Sequence, residues 1–382
     1  MRRALQSAGF ARALGIGAAL LALGCAGCAL AAPAYRPARV PHGELALGGG
    51  VWVLRLDGTP AQRGEAAGKL VGEQIRHILP RYLRAATGAK RLEEKQREAI
   101  EALAAGLPAA HAAQLRAMAR SAGVPYEQLL VANLATEASA GLHCSCALVR
   151  GRASSDGKVR LARNLDWYAG DVLGGSGLVV IESTRDGARA FASLTWPGLV
   201  GVVTGMNDAG LAAADLMVMR GEIRPGGLPV LFAVRSMLER CGSVSEALDF
   251  LRAARRSMPQ NYALADPSGG AVVETGVERF RVRPGSGDLA VITNFYDEDR
   301  KGRSDGRYAR MIAAIEGPQD ADGLERVLAR VALGEMNVQA AVLVPADRVV
   351  HLSTGKPPAA RGPWVRLDLE AWLRSTPPSP SP

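Results

Sequence analysis

Residues 143–167, HCSCALVRGRASSDGKVRLARNLDW, place two cysteines one residue apart, directly after a histidine. From Cys144 onward the apolar pattern has a period of two, which predicts strands over 144–150 and 158–163. The loop between them contains Ser154-Ser155-Asp156-Gly157, which is typical of a hairpin. The stretch therefore predicts an antiparallel hairpin whose first strand begins at Cys144.

The sequence on either side of this hairpin predicts an α+β fold. Upstream, helices are predicted over 60–83, 91–106 and 108–122, and another opens at Pro125. Gly64 and Gly68 lie four residues apart on the first helix and would let a second backbone approach closely. Downstream, strands are predicted near 178–183, 190–195, 199–204, 211–216, 262–265, 271–275, 278–283, 288–293, 341–345 and 348–353, with helices near 228–240, 244–255, 307–316 and 321–332. Strand blocks separated by a helix pair favour two packed antiparallel sheets with helices outside.

The first 31 residues have the pattern of a secretory signal peptide. Arginines near the N-terminus precede an apolar stretch over 13–23, and small residues follow up to Ala31. The apolar stretch of eleven residues is too short to span a membrane. Cys25 and Cys28 each follow a glycine, and each is a candidate site for lipidation and membrane anchoring. We therefore expect an exported protein, either periplasmic or anchored as a lipoprotein.

The remaining chain divides into a linker, one domain and a tail. Residues 32–44 are predicted to be a proline-rich linker, 45–375 the domain, and 376–382 a flexible tail. Removing Arg2, Arg3 and Arg12 with the leader lowers the formal charge from +9 to +6. No basic run or alternation of basic and aromatic residues suggests nucleic-acid binding, so no nucleic-acid partner is expected.

The cysteine count weakens two structural explanations of the Cys-x-Cys pair. Past the leader only Cys144, Cys146 and Cys241 remain, and an odd number argues against a disulfide framework. Cys144 and Cys146 point the same way from one strand, so a bridge between them would be strained. Together with His143 they lack a second ligand pair at a recognisable metal spacing, and we expect neither a metal nor a cofactor.

A cysteine at the start of a strand has one specific chemical use. If the bond before it is cleaved, its own α-amino group, with a usual pKa of about 7.7–8.0, can take the thiol proton. Nucleophile and base then come from one residue, and no catalytic histidine is needed. This suits the sequence, because its five histidines lie in no recognisable catalytic motif.

Four polar residues are candidates to complete such a site. Hairpin geometry returns Arg163 and Asp166 beside Cys144, where the arginine could steer an acyl group and the carboxylate could bind the cationic amine. Asn294 ends a predicted strand and could donate its amide to an oxyanion, and Arg307 opens a predicted helix. Spacing alone equally fits strand-end charges, a turn-forming asparagine and a surface arginine.

The chain resembles the C45 family of N-terminal nucleophile hydrolases, the self-cleaving relatives of the acyl-coenzyme A:6-aminopenicillanic acid acyltransferase. The resemblance covers most of the mature chain. It is carried by Cys144-Ser145-Cys146-Ala147-Leu148-Val149, Asp156-Gly157-Lys158, Arg163-Asn164-Leu165-Asp166-Trp167, Asp57-Gly58-Thr59-Pro60 with Gly64 and Gly68, Thr195-Trp196-Pro197-Gly198, Gly205-Met206-Asn207, Gly210-Leu211, Thr293-Asn294 and Gly306-Arg307-Tyr308. Each piece is short, but their order and spacing together are specific.

The resemblance implies a four-layer αββα sandwich and a role for each candidate. Self-cleavage of the His143–Cys144 bond would separate an α segment, 45–143, from a β segment, 144–375, and the two would stay associated. Cys144 would be the nucleophile, Asn294 the oxyanion donor, and Arg163, Asp166 and Arg307 would complete the catalytic set. The expected substrate is a small molecule with an amide or acyl group, attacked through an acyl-Cys144 intermediate.

Several positions depart from the family pattern. Relatives often have Gln or Arg at Arg163 and His at Phe295, and Met217 stands where bile-salt hydrolases carry an asparagine of the oxyanion region. His143 precedes the nucleophile where many relatives have a small or different residue. Cys146 is the rival nucleophile, but the family register favours Cys144, and we expect Cys146 to be a buried apolar residue.

Two other functions fit the same sequence. One is an exported lipid or N-acyl-amide hydrolase of the acid ceramidase or phospholipase-B-like type, which would also cleave itself. The other is a catalytically inactive binding protein of the same fold, which predicts an intact chain and an unreactive Cys144.

Overall fold

A computed structural model describes residues 33–87, 94–134, 137, 142–183, 187–218, 220, 222–283, 287–299 and 306–374. The signal peptide, Cys25 and Cys28, and the predicted tail over 376–382 lie outside the described residues. In the part of the chain that is described, no helix has the length and apolar character needed to cross a bilayer.

The first sheet has ten strands in the order β1-β2-β3-β6-β7-β8-β9-β10-β11-β12. Its strands are β1 (Ala38–Val40), β2 (Gly43–Gly48), β3 (Val51–Leu56), β6 (Leu178–Glu182), β7 (Phe191–Thr195), β8 (Thr204–Asn207), β9 (Ala212–Met217), β10 (Gln260–Asp266), β11 (Gly269–Thr275) and β12 (Phe280–Val282). Neighbours are antiparallel except β3 and β6, which pair in parallel from Val53↔Val179 to Leu56↔Glu182.

The second sheet has six strands in the order β13-β4-β5-β14-β15-β16. Its strands are β4 (Leu142–Gly151), β5 (Gly157–Trp167), β13 (Leu289–Ile292), β14 (Asn337–Val344), β15 (Val349–Ser353) and β16 (Val365–Asp368). The predicted hairpin is confirmed as β4 and β5, whose register includes Cys144↔Leu165.

Helices cover both sheets. They are α1 (Pro60–Thr87), α2 (Glu94–Ala104), α3 (Ala109–Ala122), α4 (Tyr126–Asn133), α5 (Gly170–Leu173), α6 (Val230–Arg240), α7 (Val244–Ala253), α8 (Arg307–Ala314), α9 (Ala321–Val331) and α10 (Glu370–Arg374). Single-turn 3₁₀ helices occur at Asp297–Asp299, Gly334–Met336, Pro345–Asp347 and Ala359–Arg361.

Alternation along β4 explains the layering. Cys144, Cys146 and Leu148 join the main core, which also contains Ala214 and Ala263 of the ten-stranded sheet. Their neighbours in sequence, such as Ala147 and Val149, instead form a core with α8 and α9. A third core joins α6 and α7 to the other face of the ten-stranded sheet. The four-layer αββα sandwich is therefore confirmed.

The helical N-terminal segment is also confirmed, and its two glycines pack as predicted. A Cβ at Gly64 would clash with the carbonyl oxygen of Gln114, and one at Gly68 would clash with Ser121 Oγ. Both contacts lie on α3, so the glycines allow α1 and α3 to approach closely.

Two predictions about elements need correction, and two short elements were not predicted. The expected linker over 32–44 contains β1 and the start of β2, because His42 adopts a positive φ of 64° and reverses the chain into a hairpin. The strand expected over 199–204 is wrong: β8 starts only at Thr204, and the N–H groups of Val200 and Gly201 donate to Asn133 Oδ1 instead of a strand. Short elements β16 and α10 were not predicted.

Candidate active site around Cys144

Cys144 lies at the third position of β4, where the strand enters the space between the two sheets. His143 is opposite Asp166 on β5, and Cys146 is opposite Arg163, so the return strand brings both predicted charged residues beside the cysteine. Cys144 is 1% exposed and Cys146 is fully buried. In the intact chain the thiol of Cys144 therefore lies out of contact with solvent.

Asn294 and Arg307 bind the backbone of Cys144. The N–H of Cys144 donates to Asn294 Oδ1 at 2.7 Å, and its carbonyl oxygen accepts from Arg307 Nη1 at 2.8 Å. Arg307 Nη2 also donates to Asn294 Oδ1 at 2.9 Å. Residues 150 and 163 positions further along the chain thus bind the backbone on both sides of the Cys144 Cα.

The Asn294 amide presents its oxygen atom to the backbone nitrogen of Cys144. Its oxygen accepts the two hydrogen bonds just described, and its Nδ2 donates to the carbonyl of Met217 at 2.8 Å. Because donors converge on the oxygen, the side chain presents an acceptor to the Cys144 nitrogen. The prediction that Asn294 donates to an oxyanion concerns the substrate complex and stays a prediction.

Arg163 contacts the thiol of Cys144 and the backbone carbonyls of Val203 and Asp215. Its Nη2 lies 3.4 Å from Cys144 Sγ and donates to the carbonyl of Asp215 at 3.0 Å. Its Nη1 donates to the carbonyl of Val203 at 3.0 Å and to Thr204 Oγ1. The guanidinium is enclosed by these acceptors and lies against the Cys144 thiol, and its role in steering an acyl group stays a prediction.

Burial raises the pKa of the Cys144 thiol, and the Arg163 cation opposes that rise. The pKa of Cys146 is also raised by burial. Cys144, Cys146 and Cys241 are all free thiols. Of the two neighbouring cysteines, Cys144 has the hydrogen bond from Arg163, while Cys146 is buried as expected of an apolar residue.

Asp166 reaches the site through Arg307. Its Oδ1 accepts from Asn337 Nδ2 at 2.8 Å and from the N–H of Leu333 at 3.3 Å. Its Oδ2 lies 3.8 Å from Arg307 Nη1 and accepts no hydrogen bond from the described residues. Burial raises the pKa of this carboxyl to about 6. Asp166 therefore holds the arginine that binds the Cys144 carbonyl.

Sequence reasoning missed Asp215, a buried carboxyl beside Arg163. Its Oδ1 lies 3.4 Å from Arg163 Nη2, and its Oδ2 accepts from Gln260 Nε2 at 2.8 Å. Burial raises the pKa of Asp215 to about 6, and Arg163 opposes the rise. The signal was an aspartate directly after three alanines in a predicted strand, since a charge in a buried strand needs a partner.

A group that could hold a metal ion lies elsewhere, on α9 and β15. The ligand atoms of Asp322, Glu325 and His351 lie within 4.8 Å of one another. His351 Nδ1 and Glu325 Oε1 are 2.7 Å apart, so a hydrogen bond accounts for part of this cluster.

The four layers and the cysteine on β4 define the class of protein, the N-terminal nucleophile hydrolase sandwich. Residues 152–327 match the family model described as acyl-coenzyme A:6-aminopenicillanic acid acyl-transferase, which confirms the resemblance seen in the sequence. The match begins after Cys144, so it does not include the candidate nucleophile.

Two curated relatives match part of the chain. An uncharacterized protein of Archaeoglobus fulgidus is 25% identical over 280 residues, covering 64% of this chain and 47% of the relative. Protein dcd1B of Dictyostelium discoideum is 24% identical over 226 residues, covering 52% of this chain and 45% of the relative. The chain therefore spans about half the length of these relatives.

Solved structures show distant similarity. The Caenorhabditis elegans ortholog of N-acylethanolamine-hydrolyzing acid amidase is 22% identical with a TM-score of 0.46, covering 59% of this chain and all of that one. For the conjugated bile acid hydrolase of Clostridium perfringens the identity is 13% and the TM-score 0.46, covering 61% and 95%. Penicillin V acylase of Agrobacterium tumefaciens is 18% identical with a TM-score of 0.39, covering 59% and 92%.

Proposed function

We propose that this protein is a self-processing cysteine hydrolase or acyltransferase that acts on an amide bond through an acyl-Cys144 intermediate. One observation carries the proposal: the backbone nitrogen of Cys144 already faces a side-chain acceptor, Asn294 Oδ1, at 2.7 Å. If the His143–Cys144 bond is cleaved, that nitrogen becomes an α-amine held next to its own thiol.

Maturation begins with attack of Cys144 Sγ on the carbonyl carbon of His143. The C–S bond forms as the C–N bond breaks, and the thiol proton passes to the departing nitrogen, leaving a thioester and a free α-amine. Water then hydrolyses the thioester, which gives a carboxylate at His143 and restores the thiol. Arg307, at 2.8 Å from the Cys144 carbonyl, and Asn294 hold the residue in place during these steps.

Turnover uses the new α-amine as the general base. Because burial raises the pKa of the thiol, the thiolate forms only when a nearby base accepts the proton. An α-amine, with a usual pKa of about 7.7–8.0, is suited to this at neutral pH. The thiolate attacks the substrate carbonyl, the ammonium returns its proton to the leaving amine, and water or a second amine releases the acyl group.

The two segments are expected to remain associated after cleavage because they share one sheet. Strand β3 of the α segment pairs with β6 of the β segment over four residue pairs. Buried charges reinforce the pairing, since Arg63 Nε and Arg235 Nη2 both lie within 3 Å of Glu182 Oε2. Cleavage at 143–144 breaks neither contact.

The proposed substrate is a small molecule with an amide bond, and the proposed location is outside the cytoplasm. The family model over 152–327 carries the name of an acyl-transferase of 6-aminopenicillanic acid, which supports acyl transfer at an amide. The sequence pattern of residues 1–31, with Cys25 and Cys28, supports export with or without a lipid anchor.

A processing time course tests the proposal. Wild type, Cys144→Ala and Cys146→Ala are purified, and fragments are separated under denaturing conditions. Wild type and Cys146→Ala are expected to split between 143 and 144, while Cys144→Ala stays intact. Hydroxylamine, which cleaves thioesters, should accelerate the splitting of wild type and of Cys146→Ala. It should have no effect on Cys144→Ala. An intact wild type with an unreactive Cys144 would support the binding protein instead.

A further inference from the structure

Asn294 lies in a stretch without regular structure, so its position needs support from elsewhere. Strand β13 ends at Ile292, and Thr293 to Tyr296 form no part of a sheet. The ladder hydrogen bonds that fix a strand residue are therefore not what orients the Asn294 amide.

A second buried asparagine, Asn261 on β10, binds the backbone on both sides of Asn294. Its Nδ2 donates to the carbonyl of Thr293 at 3.0 Å and to the carbonyl of Phe295 at 2.9 Å. Asn261 belongs to the ten-stranded sheet and Asn294 follows a strand of the six-stranded sheet. One carboxamide thus fixes the residue before Asn294 and the residue after it.

Packing alone does not explain this asparagine. Asn261 is fully buried, and its Oδ1 accepts no hydrogen bond from the described residues. A buried carbonyl without a partner is destabilising, and an apolar residue of similar shape would avoid that cost. The Nδ2 of Asn261, which donates to the carbonyls of Thr293 and Phe295, is the part of the side chain that contributes to the site.

The stretch is anchored on its other side by Arg283. Arg283 Nη2 donates to the Phe295 carbonyl at 2.9 Å, and its Nε donates to Glu274 Oε1 at 2.6 Å. Arg283 thereby shares the Phe295 carbonyl with Asn261, whereas the Thr293 carbonyl receives its side-chain hydrogen bond from Asn261. Losing Asn261 would free the N-terminal side of the stretch.

We propose that Asn261 is the positioning residue that keeps Asn294 Oδ1 directed at the nitrogen of Cys144. This inference rests on the proposed function, because the nitrogen matters most once it is an α-amine. An acceptor at that point stabilises the ammonium form, and the ammonium in turn stabilises the adjacent thiolate. Asn261 therefore raises the fraction of Cys144 present as the thiolate–ammonium pair at neutral pH.

The test compares Asn261→Ala and Asn261→Leu with Asn207→Ala. Asn207 is a matched control on β8, because its Nδ2 also donates to two carbonyls, of Leu238 and Cys241, at 2.9 and 2.7 Å. Two readouts are used: the rate of self-cleavage, and the rate at which iodoacetamide alkylates Cys144 of mature protein, followed by peptide mass. Neither readout requires the natural substrate.

We expect both Asn261 variants to cleave more slowly. We also expect their folded, mature fraction to alkylate roughly three- to tenfold more slowly at pH 7, which corresponds to a shift of about half to one pKa unit, and to recover at higher pH. Asn261→Leu keeps the number and branching of the side-chain heavy atoms, so it separates loss of the donor from loss of the side chain. Asn207→Ala should lower stability and leave the alkylation rate per folded molecule unchanged.

Wild-type rates in both Asn261 variants would overturn the inference, as would an equal slowing in Asn207→Ala. A wild-type chain that never splits would instead defeat the proposed function. The two failures are therefore distinguishable.

Discussion

At the scale of single residues, the Cys144 thiol experiences two opposing influences. Burial favours the neutral thiol, and Arg163, 3.4 Å away, favours the thiolate. Burial is the larger of the two, so the pKa of the thiol is raised in the intact chain. Burial also raises the pKa values of Asp166, which lies beside Arg307, and of Asp215, which lies beside Arg163. The site thus holds its charges where water does not screen them.

Asp166→Asn tests the buried carboxyl. Burial raises the pKa of Asp166 to about 6, so the folded chain binds this proton more tightly than the unfolded chain does. The carboxyl therefore supports folding best at low pH, and that support is lost as the pH rises through about 6. Relative to wild type, the variant should gain about 2 kcal/mol of unfolding free energy between pH 4 and pH 7.5, measured by urea titration. Its self-cleavage should slow.

Asp156→Asn provides a control of opposite sign. The Arg160 guanidinium beside Asp156 holds the pKa of that carboxyl below its usual range. Wild type gains stability as Asp156 ionises, so relative to wild type this variant should become less stable on going from low to neutral pH. If Asp166→Asn showed the same difference from wild type at both pH values, a raised pKa at Asp166 would be wrong.

At the scale of elements, local patterns were predictable and contacts between layers were not. The β4–β5 hairpin follows from the alternation and turn residues of one short stretch, and the site residues Arg163 and Asp166 came with it. The pairing of Cys144 with Asn294 spans 150 positions. No local rule fixes which way the Asn294 amide faces, so its role as an acceptor appeared only in three dimensions.

The residues that sequence reasoning missed share a cause. Asp215, Gln260 and Asn261 are polar positions on strands of the ten-stranded sheet, and each contacts a group outside its own strand. Periodicity predicts the strand and says nothing about the partner of a buried polar residue. Asn133 is a similar case, because its capture of the Val200 and Gly201 N–H groups keeps an apolar run out of a sheet.

Gly68→Ala tests the packing of α1 on α3. A Cβ at Gly68 would clash with Ser121 Oγ and approach the Met118 carbonyl to 2.6 Å. We expect a loss of about 1–3 kcal/mol in unfolding free energy, typical of an overpacked contact. The matched control is Gly72→Ala, just past a kink of α1 at Val71, where the nearest atoms, Ala122 Cα and Arg76 Nη1, are 3.3 Å away. There the gain in helix propensity of about 1 kcal/mol offsets the tighter contact. Equal melting temperatures for the two variants would contradict the close approach.

At the scale of the whole molecule, the proposed cleavage divides a chain whose halves share a core. A buried cluster spans the two segments: Gln114 Nε2 donates to Glu182 Oε1 at 2.7 Å, and Arg235 Nη2 donates to Glu182 Oε2 at 2.5 Å. Glu182 lies on β6, next to β3 of the other segment. The cluster therefore lies at the parallel pair of β3 and β6, which joins the segments.

Glu182→Gln tests this connection. Removing the carboxylate takes away the ion pair of buried Arg63 and one of the two ion pairs of fully buried Arg235, which keeps Glu239, and we expect a loss of about 3–5 kcal/mol. In processed protein this should appear as separation of the two segments at a lower urea concentration, measured by size-exclusion chromatography. Glu65→Gln is the control, since its ion pair with Lys69 is exposed, and it should leave the separation unchanged. Separation of both variants at the wild-type urea concentration would show that the cluster does not hold the segments.

The chemistry proposed for the whole molecule depends on a free amine at position 144. N-terminal sequencing of purified wild-type protein measures this most directly. The account predicts a chain that begins Cys-Ser-Cys-Ala-Leu, present in equal amount with the segment that ends at His143 and missing from Cys144→Ala. Catalytically active protein that yields no such N-terminus would contradict it.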